Sequence, residues 1–409
     1  MTNAGAEPAA PTNAATATKP SLAPRPRFEC IDGLRAVAAL LVFLHHVGFL
    51  SGATYNTRVG RLLGRFDVGV PIFFAISGFL LFYPHARALF DDTDLGAIRR
   101  FYVRRFFRIY PAYWAILGLV FLLVRFEARG GEYLLHVLLL QIYKGEAFLE
   151  GMSQSWSLAV EVSFYLSLPL LVRGLHRLVV GQSVGVRAVR LLGAMAALVA
   201  LSTLWRAFVY ASDMHDRSVL WLPGTIDYFA IGMALATISV WAQRSEVGAE
   251  LAAMLGRHDL RWWLAATSVL IFVAYQLDLA LGLDRASWHQ ELFRQLGYDV
   301  VALAVLVPVV FGDSERGLIR RILRWRPLAA MGTISYSFYL WHLAIIETWI
   351  DRRDLATSFG FLDWTKESLV GWTMFEITVG SLLVTTALAT VTYYIVERPL
   401  LAWSRSIAP

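Results

Sequence analysis

Charged residues are scarce in this sequence, and their scarcity excludes a soluble globular protein. Of 409 residues, 17% are charged and 57% are hydrophobic, and the mean hydropathy is +0.54. A water-soluble domain of this length needs more polar surface. The apolar residues fall in segments of about 17–25 residues, the length at which a helix crosses a bilayer. The composition therefore predicts an integral membrane protein that is surrounded by lipid.

Cysteine is almost absent as well. Cys30 is the only one, which excludes an internal disulfide, and no Cys/His cluster has the spacing of a zinc site. We therefore expect neither a metal site nor a permanently bound cofactor.

The basic residues indicate membrane topology rather than a nucleic-acid partner. The net charge is +6, but the arginines cluster beside the apolar segments, as the positive-inside rule describes. With the amino terminus inside, 23 of the 37 Lys and Arg residues lie in inner segments, 11 in outer segments and three within spans. This bias predicts an inner-membrane protein with both termini in the cytoplasm and no nucleic-acid partner.

The apolar segments predict an all-α, polytopic transmembrane helical bundle of about ten spans. The stretch Leu134–Tyr143 has about half the length that a span needs, and we interpret it as interfacial or re-entrant. The membrane domain is predicted over 29–400, between an Ala-, Pro- and Thr-rich disordered cytoplasmic tail at 1–28 and a cytoplasmic tail at 401–409. The predicted spans are 32–50, 66–85, 109–125, 155–172, 190–210, 221–240, 262–282, 294–312, 328–350 and 374–396.

The first span carries an arginine and two histidines, although ionisable groups are costly inside a bilayer. Arg35 and His46 are eleven residues apart, which places them about 20° apart on one helix face and about 16 Å apart along the axis. His45 points about 100° away. The geometry selects His46 as the partner of Arg35. The alternative to a functional pair is that the arginine lies at one membrane interface and the two histidines lie among the lipid headgroups at the opposite interface.

Three other spans carry ionisable residues at the depth of His46. Counted at about 1.5 Å per residue from the span ends, Glu161, Asp227 and His342 lie in the outer third of a core about 30 Å thick. A neutral imidazole can take a proton from a hydroxyl or attack a thioester, and a nearby carboxylate fixes its tautomer. We expect Glu161, and after it Asp227, to be that carboxylate. The alternative for Asp227 and His342 is a buried pair that clamps helices together.

An arginine-rich segment, RRFYVRRFFRIYP at 99–111, precedes the third span. Within it, Arg105 and Arg108 share a helix face at a spacing of three residues. Guanidinium groups bind phosphates through bidentate hydrogen bonds, so the pair predicts a site for a phosphate-rich donor such as a coenzyme-A thioester. Membrane topology and contact with lipid headgroups explain the same residues equally well.

Six stretches of the sequence resemble the bacterial acyltransferase-3 family of integral membrane acyltransferases, over about residues 28–400. The first four occur in the family's order and are specific together, whereas each is weak alone. The stretches are IDGLRAVAALLVFLHH at 31–46, FDVGVPIFFAISGFLL at 66–81, FYVRRFFRIYPAYW at 101–114, SWSLAVEVSFYLSLPLL at 155–171, GTISYSFYLWH at 332–342 and VERPL at 396–400.

The resemblance assigns roles to individual residues. The family's arginine, ten intervening residues and histidine correspond to Arg35 and His46. Its Arg-x-x-Arg element corresponds to Arg105 and Arg108, and the glutamate of its WSL…E stretch corresponds to Glu161. The three arginines are expected to bind the donor.

The resemblance also implies a reaction. A ten-helix enzyme is expected to move an acetyl or other acyl group from cytoplasmic acyl-CoA, with acetyl-CoA the expected donor, to a hydroxyl of a carbohydrate, glycolipid or related acceptor at the outer side of the inner membrane. His46 is expected either to accept the acyl group or to activate the hydroxyl. Apart from the resemblance, we expect His342 and Trp156 to bind a substrate, and we expect the outer loops at 125–154 and 351–373 to select the acceptor.

Buried histidines and carboxylates can also relay protons, so a proton-coupled transporter or flippase of a lipid or glycan is the alternative function. No inverted repeat or pair of broken helices is visible in the sequence, and this favours the enzyme. A third hypothesis, a non-enzymatic lipid-binding scaffold, does not explain why ionisable residues lie in one layer.

Overall fold

The described part of the chain is built of helices alone. A computed structural model describes residues 30–124, 130–144, 151–212, 216–277, 279–281, 286–312, 317–351 and 371–407. The predicted disordered tail at 1–28 and most of the loop at 351–373 lie outside these residues. In chain order the α-helices are α1 (Cys30–Leu50), α2 (Ala53–Asn56), α3 (Arg58–Gly64), α4 (Gly69–Asp91), α5 (Ile98–Val124), α6 (Gly130–Val137), α7 (Gln141–Lys144), α8 (Trp156–Val179), α9 (Val184–Ala211), α10 (Leu222–Trp241), α11 (Glu246–Gly256), α12 (Asp259–Tyr275), α13 (Trp288–Phe311), α14 (Leu318–Leu323), α15 (Arg326–Thr333), α16 (Ser335–Asp351), α17 (Trp372–Thr392) and α18 (Arg398–Ile407).

The predicted polytopic helical bundle is confirmed. Among the described residues, eight stretches are long and apolar enough to cross a membrane: α1, α3 with α4, α5, α8, α9, α10, α13, and α17 with α18. A ninth candidate is α15 with α16, which are bent by 76° at the break between them. The remaining predicted span, 262–282, corresponds to α12, whose 17 residues are at the lower limit for crossing a bilayer.

Two predicted boundaries differ from the structure. α5 begins at Ile98, so the arginine-rich segment is part of the membrane helix rather than a loop before it, and Pro111 lies inside that helix. The segment has no glycine or proline before Pro111, and arginine is a good helix former. At the other end, a π-helical turn at Tyr393–Glu397 and then α18 continue the last span beyond its predicted end at residue 396.

The stretch Leu134–Tyr143 forms parts of the short helices α6 and α7. The turn between them includes Leu139, which has a φ of 57°. Helices of eight and four residues are too short to cross a bilayer, so this stretch adds no span to the bundle. Its interfacial or re-entrant position stays a prediction.

Large apolar side chains face outward along the long helices. Leu170 of α8, Leu204 of α9 and Leu383 of α17 are all exposed. So many exposed leucines on helices of this length are costly in water but favourable against lipid chains. The outer surface of the bundle is therefore its membrane face.

α4 and α10 pack closely together at the centre of the bundle. A Cβ atom on Gly78 would lie 2.2 Å from the backbone oxygen of Phe229, and one on Gly232 would lie 1.9 Å from that of Ala75. Only glycine permits so close an approach of two backbones. The ring of Phe229 also stacks on Phe164 of α8, with 4.1 Å between ring centroids. α4, α8 and α10 therefore share one core.

α1 has a different neighbour along each half of its length. Gly332 of α15 packs against the backbone of Asp32 near the start of α1. Further along, Phe43 packs against Phe338 of α16, with ring centroids 5.7 Å apart. The bend between α15 and α16 thus leaves α16 running along α1 towards His46.

Candidate active site

Two histidines from different helices meet near the end of α1. His342 Nε2 of α16 lies 3.2 Å from His46 Nδ1 of α1, and the ring centroids are 4.9 Å apart. His46 Nδ1 also lies 2.9 Å from the carbonyl oxygen of Val42, and His342 Nδ1 lies 2.6 Å from that of Tyr339. Because a carbonyl oxygen only accepts hydrogen bonds, we assign the proton of each ring to Nδ1.

This arrangement fixes the tautomer of His46. Its Nδ1–H is shared between the carbonyl oxygen of Val42 and His342 Nε2, so its own Nε2 keeps a lone pair. The His46 side chain is half-buried. A neutral imidazole that is held in one tautomer can take a proton from a hydroxyl or attack a carbonyl carbon.

The twin histidines are not equivalent, as the helix geometry predicts. His45 Nδ1 lies 3.3 Å from the carbonyl oxygen of Leu63 in α3, whereas His46 faces α16. α1 is uninterrupted from Cys30 to Leu50, so Arg35 and His46 keep their separation of about 16 Å along one helix.

A cavity of about 110 Å³ lies between α1, α4, α5, α8 and α16, and we call it the arginine cavity. Its lining includes Arg35, Arg105 and Arg108, the three arginines predicted to bind the donor, together with Glu161. The structure therefore brings four of the predicted site residues to one place. The lining also includes Phe73, Ser77, Tyr165, Ser335, Tyr336 and Tyr339.

Glu161 belongs to the arginine cavity and not to the histidine pair. Ser77 Oγ donates a hydrogen bond of 2.6 Å to Glu161 Oε1, and Arg35 and Arg105 are within electrostatic range. Among the described residues, no hydrogen bond joins Glu161 to His46. The structure therefore differs from the expected pairing, because α8 packs against α4 and turns Glu161 towards Ser77. His342 occupies the place that the carboxylate was expected to fill.

Glu397 is a site residue that the sequence analysis missed. It is buried, lies 3.4 Å from Arg108 in an ion pair and accepts a hydrogen bond from Ser337 Oγ. The Arg108 guanidinium also lies over the ring of Tyr336, 5.6 Å from its centroid. The signal in the sequence was a carboxylate directly after the last apolar run. The predicted span ended one residue too early, whereas the π-helical turn carries Glu397 into the bundle.

Arg105 is held between aromatic rings. Its guanidinium carbon lies 5.9 Å from the ring centroid of Phe101 and 5.8 Å from that of Tyr165, which is within the range of cation–π contacts. Its Nε is buried without a hydrogen-bond partner in the described part of the chain. The two rings therefore hold this guanidinium at the wall of the arginine cavity.

Asp227 lies in a separate polar network between α9, α10 and α13. It is fully buried, and Gln295 Nε2 donates to its Oδ2 at 2.5 Å. In the same network, Glu291 forms ion pairs with Arg206 and Arg294. These groups link three helices, which agrees with the helix-clamping alternative that the sequence left open for Asp227.

Trp156 opens α8 and packs against α4. Its ring meets that of Phe74 at 89°, with 6.2 Å between centroids. It is not among the residues that line the arginine cavity. The structure thus places Trp156 in a packing position, and a role in substrate binding stays a prediction.

The four ionisable residues that were predicted to share one layer lie in three different places. His46 and His342 form a pair, Glu161 lies in the arginine cavity, and Asp227 lies in the network between α9, α10 and α13. No group of three or more His, Cys, Asp or Glu side chains in the described residues is arranged to hold a metal ion.

The fold and the site define a polytopic helical membrane protein in which a histidine pair and an arginine-lined cavity share two helices. The chain belongs to the Acyl_transf_3 family of acyltransferase domains, whose model matches residues 28–394. The resemblance to the acyltransferase-3 family is thereby confirmed.

Several named proteins are similar to this chain. It is 27% identical over 391 residues to the putative peptidoglycan O-acetyltransferase YrhL of Bacillus subtilis, covering 90% of this chain and 54% of that protein. It is 25% identical over 344 residues to the acyltransferase MdmB of Streptomyces mycarofaciens, covering 78% and 79%. It is 25% identical over 335 residues to the peptidoglycan O-acetyltransferase OatA of Listeria monocytogenes, covering 77% and 49%. The chain thus spans about half the length of YrhL and OatA. Among the solved structures, none matches this chain.

Proposed function

We propose that this protein is a membrane O-acyltransferase. It takes an acetyl or other acyl group from acyl-CoA on the cytoplasmic side of the inner membrane, where both of its termini lie. It transfers that group to a hydroxyl of a carbohydrate, glycolipid or related acceptor at the outer side. The observation that carries the proposal is the pairing of His46 with His342 at 3.2 Å in a chain of the acyltransferase family.

The arginine cavity is the proposed donor end of the site. Arg35, Arg105 and Arg108 offer guanidinium donors that suit the phosphate and carbonyl oxygens of acyl-CoA. Glu161 and Glu397 lie beside these arginines. The two carboxylates partly neutralise the three positive charges. They therefore reduce the repulsion between the guanidinium groups in a region that holds little water.

α16 connects the donor end to the histidine pair. Tyr336 and Tyr339 line the arginine cavity, and His342 follows within the next turn of the same helix. Phe73 of α4 faces Tyr339, with 6.0 Å between ring centroids. An acyl arm that enters beside the arginines therefore passes Tyr339 on its way to His46.

The proposed chemistry uses the lone pair on His46 Nε2. In direct transfer, Nε2 takes the proton of the acceptor hydroxyl while its oxygen attacks the thioester carbonyl carbon. The carbon–sulfur bond breaks, and the coenzyme-A thiolate then takes that proton. In the covalent route, Nε2 itself attacks the carbonyl carbon, and the carbon–sulfur bond breaks to release the coenzyme-A thiolate. The acceptor oxygen then attacks the acyl carbon, the carbon–nitrogen bond to Nε2 breaks, and the hydroxyl proton passes to the thiolate. His342 keeps the His46 Nδ1–H in place in either route.

The relatives suggest the class of acceptor. YrhL and OatA are named as peptidoglycan O-acetyltransferases, so a sugar hydroxyl of a surface glycan is the first acceptor to examine. The outer loops that we expect to select it, 125–154 and 351–373, are described only in part, and Trp372 at the start of α17 is exposed.

A transfer assay with purified protein tests the proposal. Radiolabelled acetyl-CoA is supplied with chitotetraose or soluble muropeptides as hydroxyl probes, and both labelled sugar and free thiol are measured. Thiol release that depends on the sugar, with label recovered in an ester, supports acyl transfer. Movement of a lipid or glycan across vesicles without ester formation supports the alternative, a proton-coupled transporter or flippase.

A further inference from the structure

A second and larger cavity opens beside the arginine cavity, at one end of α4, α5 and α8. It is a groove of about 480 Å³, within the usual size range of small-molecule sites. We call it the basic groove. Six of its lining residues carry the argument: His85, Arg100, Phe101, Arg104, Arg105 and Arg173.

The basic groove and the arginine cavity are neighbours with a common wall. Leu80, Leu81 and Arg105 line both of them. Arg105 stands at the junction, between the rings of Phe101 on the groove side and Tyr165 on the cavity side. A ligand in the groove therefore lies next to the proposed donor end of the active site.

The groove is strongly basic. Arg100 and Arg173 are exposed within it, and Arg104 and Arg105 are half-buried. Among the described residues that line the groove, Asp94 is the one with an acidic side chain, and it accepts a hydrogen bond of 3.1 Å from the backbone N–H of Gly96. Four guanidinium groups facing one carboxylate suit a ligand with more than one phosphate.

The groove also offers surfaces for a flat ring. The rings of Phe101 and His85 lie 6.1 Å apart in its wall, and Pro84, Pro169 and Val172 add apolar surface. Aromatic side chains stack on nucleic-acid bases with little regard to their sequence. A phosphorylated nucleoside can stack its base on such rings while its phosphates pair with the neighbouring guanidinium groups.

We propose that the basic groove binds the phosphorylated adenosine of the acyl-CoA donor, while the pantetheine arm runs past Arg105 into the arginine cavity. This inference rests on the proposed function. It adds a nucleotide subsite made by Arg100, Arg104 and Arg173, with Phe101 beside the base. Anionic lipid headgroups carry the same phosphate chemistry, so the experiment must separate the two sources.

Two donors and two pairs of substitutions test the subsite. Acetyl-CoA carries the phosphorylated adenosine, and S-acetylpantetheine lacks it. The test variant is Arg100→Gln with Arg173→Gln. The control variant is Arg99→Gln with Arg177→Gln, which removes the same charge from exposed positions on the same two helices outside the groove lining.

The test variant is expected to raise the KM for acetyl-CoA by about tenfold or more, since a single charge-assisted hydrogen bond is worth about that factor. Its kinetics with S-acetylpantetheine are expected to match the wild type, and the control variant is expected to match it with both donors. Equal effects of the two variants, or an equal loss with both donors, would overturn the subsite. A wild-type protein that uses neither donor contradicts the proposed function instead.

Vesicle composition separates the nucleotide from lipid. The same KM values are measured in vesicles of phosphatidylcholine alone and of phosphatidylcholine with phosphatidylglycerol. A defect of the test variant in both lipids supports the nucleotide subsite. A defect that appears only with phosphatidylglycerol assigns the arginines to lipid headgroups and overturns the proposal.

Discussion

His46 Nδ1 faces His342 Nε2 across 3.2 Å, so one imidazole accepts the hydrogen bond of the other. His342 is in turn held by the carbonyl oxygen of Tyr339. The chain carbonyl–imidazole–imidazole orients His46, and no carboxylate of the described residues forms a hydrogen bond with either ring. It also joins α1 to α16, the two helices that carry Arg35 and Tyr339 to the arginine cavity.

Substitution of His342 tests its positioning role. His342→Leu removes one of the two acceptors of His46 Nδ1–H and leaves only the carbonyl oxygen of Val42. We expect kcat to fall about 10-fold, the value of one buried hydrogen bond. The KM for acetyl-CoA should stay unchanged because the arginine cavity is intact. His342→Gln keeps an acceptor oxygen near the same position and should recover part of kcat. Steady-state kinetics of both variants provide the measurement, and a Leu variant with wild-type kcat would contradict this role.

A double-mutant cycle tests whether the ion pair of Arg108 and Glu397 stabilises the fold. Glu397 is 2% exposed and Arg108 is 21% exposed. Glu397→Gln leaves a guanidinium without its counterion, and breaking a buried pair costs about 3–5 kcal/mol, less where one partner reaches water. The double variant with Arg108→Gln removes both charges and should survive heating in detergent better than Glu397→Gln alone. If the two are equally unstable, the ion pair does not stabilise the fold.

Two substitutions of Asp227 distinguish a structural role of this residue from a catalytic one. Asp227→Asn preserves the volume and one hydrogen bond to Gln295, so acyl transfer should be retained. Asp227→Leu removes the shorter hydrogen bond of Gln295 Nε2 and leaves only the one of 3.4 Å to Ser202 Oγ, at a cost of about 1–3 kcal/mol, and should reduce the amount of monodisperse protein. Size-exclusion profiles and transfer rates distinguish the cases. Loss of activity in a well-folded Asn variant would return Asp227 to the catalytic residues.

The close approach of α4 and α10 makes Gly78 sensitive to one added carbon. Gly78→Ala places a Cβ atom 2.2 Å from a backbone oxygen of α10, so the helices must separate, at a cost of about 1–3 kcal/mol. Gly193→Ala in α9 is the matched control, because a Cβ there meets no atom within 4 Å. The half-life on heating in detergent should fall for Gly78→Ala and not for Gly193→Ala. Equal half-lives would show that the two helices can part without loss.

The sequence predicted relationships within one helix well. The period of an α-helix is enough to separate His45 from His46 and to place Arg35 and His46 on one continuous element. It also joined Arg105 and Arg108, because they are one turn apart. These relationships needed no knowledge of how the helices pack.

The sequence did not predict relationships between helices equally well. Counting residues gives the depth of a side chain but not its direction around the bundle, so the sequence favoured Glu161, and after it Asp227, as the partner of His46 and did not predict that His342 would take this place. Packing decides between them: α8 turns Glu161 towards α4, and α16 turns His342 towards α1. Glu397 was missed because a π-helical turn extends the last span by residues that a hydropathy boundary assigns to the tail.

The account depends most directly on His46, and its neighbour provides the control. Acyl transfer from radiolabelled acetyl-CoA is measured for His46→Ala and His45→Ala, each shown to fold by size exclusion. We predict that His46→Ala loses transfer by a factor of about 100 or more, whereas His45→Ala, which faces α3, retains it. Full transfer by a folded His46→Ala variant would contradict the assignment of this histidine and of the chemistry built on it.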